Sequence, residues 1–157
     1  GAVNQLPTVV EMRDRRVEGM KRTTTGPELS APCAHFDDGR QLVYGTMGGE
    51  GQPQTQAAVF LRHARLRWSL EDAIAAPRWL LGRTWGDETS ALRLEPSLGD
   101  RAFVASLERA GHSVVVLDRD HDEIMGHAGA LLRQPSGEIE AASDPRSDGA
   151  AAWSVPA

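Results

Sequence analysis

The stretch Gly45–Gln56, reading GTMGGEGQPQTQ, constrains this chain more than any other. Leu42, Val43 and Tyr44 lead into it as an extended apolar segment, and apolar residues at helical spacing follow from Thr55. Gly48 and Gly49 permit backbone angles that a side chain would forbid, and the start of the following helix aims main-chain N–H groups at the same place. A strand, a glycine loop and a helix in that order imply a layered fold with a cradle for negative charge. A dinucleotide loop would need G-x-G-x-x-G, yet Gly49 and Gly51 are followed by Gln54, and no lysine follows to complete a phosphate-binding P-loop. A carboxylate or a developing oxyanion suits the loop; a simple tight turn is the reading that a glycine pair alone leaves open.

The rest of the chain alternates helix and strand. Thr55–Arg67 places Val59, Phe60, His63 and Ala64 near one helical face, and Arg62, Arg65 and Arg67 form a basic end that complements the helix dipole from solvent. Ser69 followed by Asp72 has the form of a helix N-cap, with a short helix running to Ala75 and stopping before Pro77. Gly99–Ala110 puts Phe103, Leu107 and Ala110 on one side of a helix that Gly111 ends. Leu92–Glu95 and the valine run in Ser113–Leu117 read as strands, the second of them buried. Ala128–Arg133 and Glu138–Ala142 read as a hairpin across Pro135-Ser136-Gly137. Helices packed on a largely antiparallel sheet are the expected result.

Composition narrows the function classes. The chain has 157 residues, within the range of one domain. Its 17 basic against 22 acidic residues give a net charge of −5, which argues against a general nucleic-acid binder. No apolar run approaches the roughly 20 residues that cross a bilayer. The N-terminus lacks the basic-then-apolar order of a signal peptide, so cytoplasm and periplasm both stay open.

Cys33, the single cysteine, reads as a reduced, buried thiol, with His35 along the same strand face. Thr23, Thr24 and Thr25 read as a solvated turn leading into Gly26-Pro27. Asp118, Asp120 and Asp122, with Glu123 between His121 and His127, fail the EF-hand pattern because Glu123 and Gly129 occupy its sixth and twelfth positions; a solvated loop is the reading, with no metal assigned. Asp144-Pro145-Arg146 reads as a structural turn in which Arg146 pairs with Asp144 or Asp148.

GTMGGEGQPQTQ, then APRW at Ala76–Trp79, AGH at Ala110–His112, MGHAGA at Met125–Ala130 and ASDPRSDG at Ala142–Gly149 form an ordered set that resembles the C-terminal part of the small subunit of the gamma-glutamyltransferase family, and LLGRTWG at Leu80–Gly86 is similar to its bacterial amidohydrolase and acylase branch. The resemblance divides the chain into an unmatched segment 1–32, a family-like domain 33–152 and a tail 153–157. It implies an α+β fold, one part of the αββα sandwich of N-terminal-nucleophile hydrolases. It also implies a threonine nucleophile activated by its own α-amine, lying upstream and outside this chain, and no cofactor. By position, Gly48 and Gly49 become the oxyanion hole, and Ser30 stands where the donor's carboxylate is held, with Glu28 and Leu29 where hydroxyls would be expected. The implied substrates are gamma-glutamyl or other acyl amides, including oxamate-type ones. The implied partner is an upstream large-subunit-like chain, or a second copy, covering an apolar sheet face. An inactive domain that keeps the fold and binds a carboxylate or a partner is the alternative.

Overall fold

The computed structural model describes residues 17–22, 32–82 and 89–151. Ser30, the Thr23–Thr25 run, residues 83–88 and the tail 153–157 lie outside that set. The strands β1 (Val17–Arg22), β2 (Pro32–Phe36) and β3 (Gln41–Met47) precede the helices α1 (Gln52–Phe60) and α2 (Leu70–Ala75). Next come β4 (Trp79–Leu81), β5 (Leu92–Leu94), α3 (Arg101–Arg109), β6 (Val114–Val116), β7 (His127–Arg133) and β8 (Ile139–Ser143).

Among the described residues one sheet has five strands in the order β1-β2-β3-β7-β8, every pairing antiparallel; the second, β4-β5-β6, has three. Register in the large sheet sets Val43 opposite Leu131 and Tyr44 opposite Ala130. Because successive side chains point to opposite faces, Leu42, Tyr44, Ala130 and Leu132 share one face, where Val59 and Phe60 of α1 and Leu70 and Ile74 of α2 close the core. The Tyr44 and Phe60 rings stack at 5.9 Å. Each large side chain so buried contributes about 1.5–3 kcal/mol. On the opposite face Val43, Met47, Leu131 and Ile139 are all exposed, and none of the described residues packs over them as α1 and α2 do on the first face. This is the apolar face anticipated for one half of a sandwich.

Several local expectations were met. Ser69 caps α2 by accepting from the Asp72 N–H at 3.0 Å, and β7 and β8 form the anticipated hairpin. Others shift. Helix α1 begins at Gln52, three residues ahead of Thr55, because Pro53 suits a first turn and a 3-10 turn at Gly49–Gly51 leads into it. It ends in a π-helical turn, Leu61–Arg65, which carries Arg62 back over Trp68 to donate to the Pro77 carbonyl at 2.5 Å; Arg62 is therefore half-buried rather than a solvated end. Strand β6 is not buried, since Val115 and Val116 stand at the edge of the small sheet, and α3 has no buried residue, with Phe103 43% exposed. The strands β1 and β4 were not anticipated, whereas β2 carries Cys33 and His35 on one face, as their spacing along a strand implied.

His63, also drawn in by the π turn, is 7% exposed. Its Nδ1 lies 3.0 Å from the Trp68 carbonyl oxygen, and its Nε2 is buried with no hydrogen-bond partner among the described residues. With Nδ1–H donating, a proton added at Nε2 would be stranded. Burial, foremost, holds the imidazole below its ordinary value, assisted by Arg40 and opposed by the Trp68 carbonyl and Glu140. An unfolded chain takes up the histidine proton near pH ~6.5 while the folded one resists, so stability is full above that pH and declines as pH falls through the lower folded value. Thermal melts should be level above about pH 7.5 and lose temperature toward about pH 5, and His63→Gln should flatten that decline.

Candidate active site

The glycine loop sits where β3 hands over to α1. Gly48 has φ 138° and Gly49 φ 56°, consecutive left-handed values that L side chains rarely adopt. Gly48 is buried and Gly49 exposed, so the loop runs from the interior to the surface. Neither the 3-10 turn nor α1 has a side-chain cap, so backbone and neighbours shape the loop.

The first neighbour is Gly126, just ahead of β7. Met47 is in register with His127, and Gly126 has φ 71° and ψ 175°. A Cβ on Gly126 would overlap the Met47 carbonyl oxygen and stand 3.0 Å from the Gly48 Cα. Two backbone segments thus meet with no room for a side chain.

A buried ion cluster holds Gly126. Arg78, from APRW, donates through Nη1 to the Gly126 carbonyl at 2.9 Å and through Nη2 to Asp144 at 2.6 Å. Asp144 also accepts from the Ala128 N–H at 2.6 Å and from Arg146 Nη1 at 3.0 Å. Arg146 pairs through Nε with Glu95 at 2.8 Å, and Glu95 accepts from the Arg78 N–H at 2.8 Å. The four side chains are almost wholly inaccessible: Arg78 2%, Glu95 0%, Asp144 1% and Arg146 6% exposed. Two positive and two negative charges balance, which is the condition for ions to persist without water. Burial, and after it the nearby Arg146 charge, lowers the Arg78 guanidinium to about 10, with Asp144 and Glu95 pulling the other way. It keeps its proton at neutral pH.

Four of the five ordered motifs are thereby brought together: APRW and ASDPRSDG supply the cluster, MGHAGA supplies Gly126, and Gly126 lies against GTMGG, while AGH follows the exposed α3. Glu95 was not anticipated as a member. Arg146 does pair with Asp144 as expected, but its other carboxylate is Glu95 rather than Asp148. An acidic residue ending an apolar strand, as in LRLE, was the available signal.

The other candidates have local roles. Cys33 Sγ lies 3.7 Å from His35 Nε2, and burial raises the thiol's pKa, which disfavours the thiolate. The Asp120 carboxylate accepts from the Ser97 hydroxyl at 2.6 Å, and Asp122 caps Ile124 at 3.0 Å. Among the described residues no three His, Cys, Asp or Glu side chains converge as a metal site, and no helix is long and apolar enough to cross a membrane.

Comparison with known proteins gives the family. The sequence model described as gamma-glutamyltranspeptidase matches residues 4–154, and the chain belongs to that family. The matched stretch reaches into the segment 1–32 that the motifs alone had set apart. The chain is 52% identical over 124 residues to the oxamate amidohydrolase proenzyme of Klebsiella pneumoniae, covering 79% of this chain and 23% of that protein. It is 43% identical over 111 residues to the glutathione hydrolase-like YwrD proenzyme of Bacillus subtilis, covering 71% and 21%. The chain thus spans under a quarter of these relatives' length. Among solved structures, a mutant gamma-glutamyltranspeptidase from Pseudomonas nitroreducens superposes with a TM-score of 0.63 at 23% identity, covering 85% of this chain and 66% of that one. The cephalosporin acylase of Bacillus halodurans does so at 0.60 and 27% identity, covering 73% and 20%.

Proposed function

We propose that this chain supplies the oxyanion-binding loop of an amide hydrolase of the gamma-glutamyltranspeptidase family, with Gly48 and Gly49 as the donors. The observation that carries the reading is the pair of consecutive left-handed glycines at a strand-to-helix junction, backed by Gly126 and the buried ion cluster. A threonine hydroxyl from another stretch of the protein attacks the substrate's carbonyl carbon while its α-amine takes the proton. The carbonyl oxygen gains the negative charge and the two backbone amides hold it. Collapse of the intermediate expels the amine and leaves an acyl-enzyme, which water then hydrolyses. Each oxyanion donor is worth about 3 kcal/mol in such a transition state, and preorganised backbone supplies it without reorganising.

The open face of the large sheet, with Val43, Met47, Leu131 and Ile139, fits the second sheet of the sandwich, contributed by the remainder of the protein. The relatives' names speak of proenzymes, which agrees with a processed partner chain. For substrate, the name of the 52%-identical relative favours oxamate, a small amide bearing its own carboxylate, over gamma-glutamyl amides.

The test is hydrolysis of oxamate and of gamma-glutamyl-p-nitroanilide by this polypeptide alone and after combination with the rest of its protein. Activity restricted to the combination is expected. Release of ammonia from oxamate without release of p-nitroaniline would identify the amidohydrolase branch; inactivity of the combination on both amides would overturn the reading in favour of a binding domain.

A further inference from the structure

We infer that Gln54 is a positioning residue for the glycine loop, an inference that rests on the oxyanion reading above. Its carboxamide spends both of its hydrogen-bonding groups on one backbone unit: Nε2 donates to the Leu81 carbonyl at 2.9 Å, and Oε1 accepts from the Leu81 N–H at 2.8 Å. That is the exchange a neighbouring strand would make with β4, performed here by a side chain in the first turn of α1. It ties the helix start to the edge of the small sheet in a fixed orientation.

The approach is close because Gly51 allows it. A Cβ there would meet Leu80 Cδ1 at 2.6 Å, and Leu80 is 2% exposed. A longer bond, 3.4 Å from the Thr46 hydroxyl to the Gln52 carbonyl, also crosses this junction. Because Gln54 lies in the first turn of α1, which begins directly after the Gly49–Gly51 turn, its clamp on Leu81 orients the helical turn that the glycine loop leads into. Gly126 backs the loop from the β7 side and Gln54 anchors it from the β4 side. Both braces lead back to one segment, since Arg78, which grips Gly126, directly precedes β4 and Leu81 ends it.

Loss of the clamp should fall on kcat, because a misplacement of about 1 Å at a catalytic group costs up to ~100-fold, whereas ground-state binding does not require the amides to be aligned. The experiment uses the assembled full-length protein with oxamate and gamma-glutamyl-p-nitroanilide, comparing Gln54→Met, which keeps length and packing, with Gln54→Glu, which keeps the acceptor but sets a charged oxygen against the Leu81 carbonyl. Far-UV circular dichroism gives the folded fraction to which rates are referred. We expect kcat per folded molecule to fall about tenfold or more in both variants, with KM within about twofold. Unchanged kcat per folded molecule, whatever the melting temperature does, would reduce Gln54 to a structural tie. An equal rise in KM with kcat intact would likewise overturn the inference. A wild-type protein inactive on both amides would instead remove the function reading, and this inference with it; an active wild type with unaffected variants removes this inference alone.

Discussion

Replacing Gly126 with alanine is expected to cost at least about 100-fold in kcat/KM for amide hydrolysis by the assembled protein. The added methyl would occupy the place of the Met47 carbonyl oxygen and crowd the Gly48 Cα at 3.0 Å, and the φ of 71° would be strained for any L side chain. Neither segment is free to yield. The Gly126 carbonyl is held by Arg78, the neighbouring Ala128 N–H is held by Asp144, and Met47 is locked in register with His127. Relief must therefore come from the glycine loop, whose glycines offer the least resistance to altered backbone angles. The loop moves and the oxyanion donors go with it. Steady-state kinetics on the purified variant checks this; a variant that folds and retains kcat/KM within about threefold would show that the loop tolerates the shift.

Arg146→Ala should produce the largest loss of stability in the chain, about 3–5 kcal/mol, because it leaves Glu95 and Asp144 buried beside a single remaining guanidinium. Arg146 also donates to the Ala76 carbonyl at 3.1 Å and to the Ile74 carbonyl at 3.3 Å, so the end of α2 loses its tie to the cluster as well. Arg146→Lys should recover little, since an ammonium cannot bridge two carboxylates and two carbonyls from one planar fork. Chemical denaturation with a two-state fit reads the difference directly. A loss under about 1 kcal/mol for the alanine variant would mean that water replaces the guanidinium, and the cluster would then not be the anchor of Gly126.

How much of this was legible beforehand follows interaction range. The β7–β8 hairpin and the Ser69 cap were readable because turn residues and a cap act within a few positions. The start of α1 was misplaced because Gly49–Gly51 made a 3-10 turn where a loop was expected, and Arg62 was misread because a π turn, with no sequence signature of its own, redirected it. The burial of β6 was overestimated, since a valine run reads alike at a sheet's edge and at its centre.

The site divides in the same way. The sequence by itself determined the glycine loop between strand and helix, the family, and the identities of Arg78, Asp144 and Arg146 as parts of ordered motifs, because glycine's backbone freedom and proline's rigidity act on the chain locally. Only the tertiary structure decided that Glu95 completes the cluster, that Gly126 is the wall behind Gly48, and that Gln54 clamps Leu81. Those contacts join residues far apart in the chain, and no local spacing encodes them. They form because folding removes water from two arginines and two carboxylates at once, and such charges are tolerated in an interior only where each finds its counterpart.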